Sequence, residues 1–463
     1  MKLIYGVKDK PKFSQVIVFA IQQLLAIMAA TLVVPVIING NVTTMIAEGK
    51  LDWALEKPMS STVALFGAGI GTLVYLLFTK FKSPVFLGSS FAFLGSMAAA
   101  FAGASSMALG YVGLILGAIF GGLVYVVIAI IVKFAGVKWI NVLMPAVVIG
   151  PTVTIIGLSL AGNAIGDLQT APAGGDSKIA LICGLVTLAV TIICSVYGKK
   201  MIKLIPFIIG ILSGYAVAAI FTGIGIAAGI DELKVINFAA FEALLPEGKV
   251  AFETFITLPE FTFLNALGGF SEITPTYVAT VAVAYVPVAF VVFAEHLADH
   301  KNISTIIETD LLEEPGLHRT LLGDGVGSMA GALFGGCPNT TYGESVGCVA
   351  ITGNASVVTI ITTAIAAIAI SFLSPFVAFV NTIPSCVMGG VCMALYGFIA
   401  VSGLKMIKNV DLEQNANLFT VSVILIAGIG GLTLTFGQVS ITAIACALIL
   451  GILVNLMVNK ARK

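Results

Sequence analysis

The chain is poor in charge. Only 10% of its 463 residues are Asp, Glu, Lys or Arg, against about 25% in soluble domains, too few to wet the surface of a soluble protein of this length. Basic and acidic residues balance at 23 each, and no basic patch interleaved with aromatics occurs, which argues against nucleic acid as a partner. The seven cysteines, at positions 183, 194, 337, 348, 386, 392 and 446, stand singly in apolar stretches. They lack the paired spacing that zinc or a redox dithiol requires and are read as small packing residues. No Walker lysine motif is present, and no GxG spacing lies between the strand and helix of a βαβ unit. The chain is therefore not expected to be an enzyme, and neither a cofactor nor a metal site is expected.

What is present is apolar sequence: 59% of the residues are from the set AVILMFWYC, and 50 are glycine. The apolar runs are continuous over helix-spanning lengths, as in Tyr111–Val132 and Leu418–Phe436, where barrel strands would alternate apolar and polar. An all-α polytopic membrane protein follows. Candidate spans fall at about 14–39, 61–79, 84–101, 109–133, 142–162, 179–197 and 202–223, then 278–298, 319–335, 337–353, 356–376, 382–403, 417–436 and 439–458. Lys2, Lys8, Lys10 and Lys12 precede the first run without a cleavable leader pattern, which predicts a cytoplasmic N-terminus. Threading fourteen spans from that start puts eighteen of the 23 basic residues inside and both termini in the cytoplasm, the bias expected of a correct topology.

The one long connection, 224–277, carries seven acidic residues (231, 232, 242, 247, 253, 260 and 272) against two lysines, and a surface helix is expected near 250–266. It separates two sets of seven spans, 1–223 and 278–463. An odd number per set forces the second set to enter from the opposite side, the plan of an inverted repeat used by alternating-access transporters. Pro35, Pro145, Pro151, Pro206 and Pro287 are read as helix kinks.

Charge inside a span is costly and so marks function. Glu295 and Asp299 lie four residues apart near the end of the eighth span, on one helical face. Glu295 follows sixteen residues, Val278 to Phe293, without a charge. His296 projects to a different face and His300 is placed at the interface, both in structural or solvated roles. Asp324, beside glycines 323, 325 and 327, is expected to cap, to pair with backbone or to face the cytoplasmic funnel. Glu344 closes the string Gly335-Gly336-Cys337-Pro338-Asn339-Thr340-Thr341-Tyr342-Gly343-Glu344, too irregular for a lipid-facing helix. The third span, Ser83-Pro84-Val85-Phe86-Leu87-Gly88-Ser89-Ser90-Phe91, is broken in the same way. Two interrupted spans at matching places point to a binding site, with half-helix N-termini aimed at the midplane.

At these residues the chain resembles the uracil-permease branch of the nucleobase–ascorbate transporter family. The resemblance runs through Gln22-Gln23-Leu24, Leu87-Gly88-Ser89-Ser90-Phe91-Ala92-Phe93, Ala294-Glu295-His296, Pro315-Gly316-Leu317-His318-Arg319, Asn339-Thr340-Thr341-Tyr342-Gly343-Glu344 and Val387-Met388-Gly389-Gly390-Val391. It implies two inverted seven-span repeats divided into a core (14–133 plus 278–376) and a gate (142–223 plus 382–458), paired as a homodimer in the bilayer of the cell membrane. It implies uracil import coupled to protons. Carried over by position, Glu295 meets uracil N–H groups, while the backbone around Phe91, Gly343 and Glu344 meets the carbonyls and remaining N–H. Tyr342 and Phe91 line the pocket, and Glu344 also holds the broken span.

Two positions depart from the common pattern. Asp299 stands where histidine is usual, which assigns proton coupling to Asp299 with Glu295. Gln23 stands at another customary histidine and is expected to hydrogen-bond the substrate or Glu295. A purine or xanthine permease of the same family is the near alternative. An anion transporter of similar architecture is the farther one, disfavoured by a cavity with acidic and no basic residues, and a non-transporting receptor is the last.

Overall fold

A computed structural model of the chain describes residues 3–136, 138–172, 174–199, 201–245, 248–408, 410–436 and 439–460. Lys2, Glu247 and the last three residues, 461–463, used above for topology and charge, lie outside the described residues.

The chain opens with α1 (Phe13–Ala47), α2 (Ser61–Phe78), strand β1 (Leu87–Ser89), α3 (Leu94–Ala102) and α4 (Met107–Ala135). Next come α5 (Lys138–Leu143), α6 (Ala146–Ser159), α7 (Ala161–Gln169), α8 (Ser177–Tyr197), α9 (Met201–Leu204) and α10 (Pro206–Ala228). The connection holds only short helices, including α11 (Ala239–Glu242) and α12 (Thr262–Ala266). The second half repeats the order with α13 (Pro275–Ile307), α14 (Leu317–Gly335), β2 (Asn339–Thr341), α15 (Gly343–Thr352), α16 (Val357–Ile370) and α17 (Ser374–Thr382). It ends with α18 (Ser385–Ile407), α19 (Asn415–Ile429), the hairpin β3 (Leu434–Phe436) and β4 (Val439–Ile441), and α20 (Ala443–Lys460). Among the described residues, eight helical segments are long and apolar enough to cross a membrane, and shorter apolar helices accompany them.

Local chemistry sets the boundaries. Ser60, Ser106 and Thr274 cap α2, α4 and α13, each accepting a backbone N–H with its hydroxyl oxygen. Glycines in the left-handed region end α14 and α15, Gly336 at φ 74° and Gly353 at φ 67°, where a side chain would be strained.

Packing follows a glycine seam. A Cβ on Gly67 would lie 2.4 Å from the Gly331 carbonyl oxygen, and one on Gly71 2.8 Å from that of Gly327. With no side chain between them, α2 and α14 bring their backbones together, the route to tight association where lipid removes the hydrophobic drive. Helices α1 to α4 pack with α13, α14 and α16, while α6, α8, α10, α18, α19 and α20 pack with one another. Apolar side chains such as Val127, Ile193 and Ile426 remain exposed on the outside, the surface a bilayer would cover.

Four local readings change. Pro145 and Pro206 sit at the starts of α6 and α10 rather than at kinks, because a first-turn N–H has no helical partner to lose; Pro35, Pro151 and Pro287 do lie inside helices. The helix expected over 250–266 is broken into a single turn at Phe252–Thr254 and the five-residue α12, and between them Ile256 bridges to Leu373. The two last apolar runs meet in the β3–β4 hairpin, so α19 is only 15 residues long; Gly430 and Gly431 break the helix, and Thr433, Thr435 and Phe436 favour extended chain after it. His300 is not at the interface but fully buried. All seven cysteines are free and buried.

Candidate functional site

The two irregular strings cross as strands. β1 and β2 pair antiparallel in the register Leu87↔Thr341, Gly88↔Thr340 and Ser89↔Asn339. The pairing continues as Ser90 N–H donates to the Pro338 carbonyl (2.9 Å) and Tyr342 N–H to that of Phe86 (3.2 Å). Each broken segment thus satisfies the other's backbone, the condition for non-helical chain at membrane depth. The Tyr342 hydroxyl donates to the Ser89 carbonyl at 2.8 Å, so the ring lies flat across β1. Gly88 leaves the room: a Cβ there would be 2.3 Å from the Tyr342 ring. Beyond the crossing, α3 follows a tight turn at Phe91–Phe93 and α15 begins at Gly343. The first backbone N–H groups of α15 have no helical acceptor and carry the positive end of its dipole.

A cavity of about 420 Å³ opens beside this crossing. One wall is polar: Ser90, Phe91, Thr340, Thr341, Tyr342, Gly343 and Glu344 from the broken segments, with Glu295, Asp299 and Asn302 from α13. The opposite wall is largely apolar, with Val153 and Ile156 of α6, Phe207 of α10 and Leu395, Phe398, Ile399 and Met406 of α18, alongside Ser402 of the same helix. Among the described residues, no Lys or Arg lines the cavity. Asp299 Oδ2 accepts the Thr341 hydroxyl at 2.9 Å, which ties α13 to β2.

Behind the polar wall runs a second, closed network. His296 Nδ1 lies 2.6 Å from Asp324 Oδ2, and its Nε2 lies 3.0 Å from Thr320 Oγ1. Thr320 gives its own proton to the Leu317 carbonyl, so His296 Nε2 must donate and one proton is shared between His296 Nδ1 and Asp324. His300 stacks on His296 with ring centroids 4.0 Å apart. Its Nδ1 donates to the His296 carbonyl at 2.8 Å, and its Nε2 lies 2.7 Å from the Tyr75 hydroxyl, which donates to Ser83 Oγ at 2.6 Å.

Of the residues singled out in the sequence, Glu295, Asp299, Glu344, Gly343, Tyr342 and Phe91 come together on one wall of one cavity. Asp324 does not reach the cavity lining and pairs with His296 instead. Gln23 is 2% exposed and also stands behind the lining, its Nε2 donating to Ser345 Oγ at 2.5 Å. Asn302 escaped notice, although its place seven residues after Glu295 keeps it on the same helical face. The apolar wall carried no sequence signal, since its residues are those of any span.

The comparisons with known proteins agree with this geometry. A family model described as Permease family, covering xanthine and uracil permeases, matches residues 14–437. The chain is 37% identical to the uracil permease of Bacillus caldolyticus, over 98% of this chain and 95% of that one. It is 34% identical to the uracil permease of Bacillus subtilis (strain 168), over 100% and 97%, and 36% identical to that of Escherichia coli (strain K12), over 98% and 93%. Among solved structures, the transmembrane domain of the cyanobacterial bicarbonate transporter BicA superposes with a TM-score of 0.57 at 15% identity, covering 97% of this chain and 99% of that one. The murine anion transporter Slc26a9 gives 0.62 at 12%, covering 98% and 69%; at such identities the likeness speaks for the fold alone, an inverted-repeat membrane fold. The two broken segments, the acidic cavity beside their crossing and the family match over residues 14–437 together show that the chain is a multi-pass membrane permease of the nucleobase–ascorbate transporter family.

Proposed function

We propose that this permease imports uracil together with protons across the cell membrane. The observation that carries the reading is the polar wall: two carboxylates, Glu295 and Glu344, beside the first turn of α15, whose N–H groups have no acceptor within the helix. Uracil is neutral and planar, with two N–H donors and two carbonyl acceptors, so carboxylates and backbone N–H groups are its complements. The relatives' names, uracil permease in each of three organisms, support the same substrate. In this reading Glu295 accepts uracil N–H groups, Gly343 and Glu344 supply backbone donors, and Phe91 and Tyr342 line the pocket beside the ring.

Transport requires the site to face each side in turn. The moving bodies are a core, 14–133 plus 278–376, and a gate, 142–223 plus 382–458, within halves 1–223 and 278–463 joined by 224–277. The cavity reaches Asn302, Phe207 and Met406, near the ends of α13 and α18 and the start of α10. On the opposite side Asn163 of α7 donates to Asn41 of α1 at 2.7 Å, a contact that must break for the cavity to open there. Both termini lie in the cytoplasm, and two copies pair through their gates. Asp299 with Glu295 carries the coupling proton, because protonation lowers the cost of a buried carboxylate and changes what it can donate.

Uptake of radiolabelled uracil into proteoliposomes, with and without an inward proton gradient, tests substrate and coupling together. Gradient-stimulated accumulation is the expected result. Entry without stimulation removes the proton from the mechanism, no uptake removes uracil, and uptake abolished by excess xanthine or adenine extends the site to purines.

A further inference from the structure

We propose that Ser345 is a positioning residue for the cavity, and that Gln23 acts on the site through Ser345 rather than by touching the substrate. The argument begins with a backbone mismatch at the strand crossing. In the observed register Phe86 stands opposite Tyr342, and an antiparallel pair of this kind exchanges two N–H···O bonds. Only one of the two forms between backbones: Tyr342 N–H donates to the Phe86 carbonyl. The Tyr342 carbonyl is already taken, because it accepts Val346 N–H in the first turn of α15. Phe86 N–H is thereby left without a strand partner in a fully buried place, where an unmade bond is costly.

Ser345 fills that vacancy. Its Oγ accepts Phe86 N–H at 2.9 Å and, from the other side, Gln23 Nε2 at 2.5 Å. One hydroxyl thus joins α1, the segment entering β1 and the first turn of α15. It is 0% exposed, and it follows directly on Gly343 and Glu344, the residues whose backbone and carboxylate face the cavity. Loss of the hydroxyl frees the start of α15 to shift against β1, which moves the donors that the substrate meets. Gln23 is absent from the cavity lining, so its leverage on transport passes through the same oxygen.

The inference rests on the uracil reading for its kinetic readout, and a second readout is independent of that reading. In uptake assays Ser345→Ala is expected to raise the apparent KM for uracil tenfold or more, with a maximal rate within threefold of wild type. Ser345→Thr, which keeps the oxygen, is expected to return KM to within threefold. Gln23→Ala is expected to raise KM in the wild-type background and to add nothing in the Ser345→Ala background. A Gln23→Ala effect of equal size in both backgrounds, or Ser345→Ala at wild-type KM, overturns the proposal.

Hydrogen–deuterium exchange of the unliganded purified protein supplies the second readout. Faster exchange in peptides covering Phe86–Ser89 and Gly343–Val349 of Ser345→Ala supports the proposal, and unchanged exchange overturns it. If wild-type protein takes up no uracil, the functional reading falls while the exchange result still decides the role of Ser345.

Discussion

The two walls of the cavity are built on different principles. The wall made by α13 and the broken segments is polar and cross-tied: Thr341 to Asp299, Tyr342 to Ser89, Ser345 to Phe86 and Gln23. Its backbone is fixed by strand pairing and its side chains by hydrogen bonds that have direction. The facing wall, from α6, α10 and α18, presents chiefly aliphatic and aromatic groups to the cavity. Contacts between apolar surfaces have no direction and are lost and regained as surfaces slide. In the proposed function, recognition is assigned to the polar wall and movement to the apolar one, because a surface held to the substrate by hydrogen bonds would lose them at each opening.

The comparison breaks first at the carboxylates. Glu295→Gln and Glu344→Gln are each expected to lower initial uptake about 100-fold, since hydrogen bonds to charged groups are worth up to ~3 kcal/mol. Membrane abundance should stay at the wild-type level, so rates are measured per reconstituted protein. Wild-type rates in either variant would detach that carboxylate from recognition.

Next in size is the backbone that carries the wall. Gly88→Ala drives a methyl into the Tyr342 ring and is expected to lower uptake by roughly tenfold or more, the scale of effect that small misplacements have in preorganised sites. Gly95→Ala, in α3 where no atom lies within 4 Å of an added Cβ, is its control and should transport normally. Asp299→Asn separates coupling from recognition. Wild-type uptake is expected to rise as external pH falls below neutral, whereas the variant should give a flat profile; a retained pH dependence would move coupling elsewhere.

The smallest effect belongs to the apolar wall. Ile399→Ala removes contact area without a directed bond and is expected to change apparent KM by roughly fivefold, from about 1 kcal/mol, the low end of what apolar pocket contacts contribute. A loss as large as that of Glu295→Gln would mean that the apolar wall also carries recognition.

Much of this site was legible in the chain. Glu295 and Asp299 were set on one face by their spacing, and Glu344 was marked by the Gly-Pro-Asn-Thr string before it, because charge and irregular backbone are both expensive in a membrane. Asp324 was legible as a buried charge but not as a partner of His296, since nothing in a sequence pairs a residue of one span with one of the next. His300 looked like an interface residue from its place near the end of a run, yet α13 continues to Ile307 and keeps it inside. Gln23 was marked as a substrate contact, and the tertiary packing sets it against Ser345, 322 residues away.

The sequence alone determined the solvent in which this protein folds, the lengths of its apolar runs, the two broken segments and the carboxylates near them. Those features are local, because the cost of a polar group in a hydrocarbon layer is paid residue by residue. Only the tertiary structure decided that β1 and β2 cross, that Tyr342 lies over Gly88, and that the Ser345 hydroxyl completes a ladder which the start of α15 interrupts. Such choices are fixed by the demand that every buried N–H find an acceptor, and the acceptor is wherever the folded chain brings one.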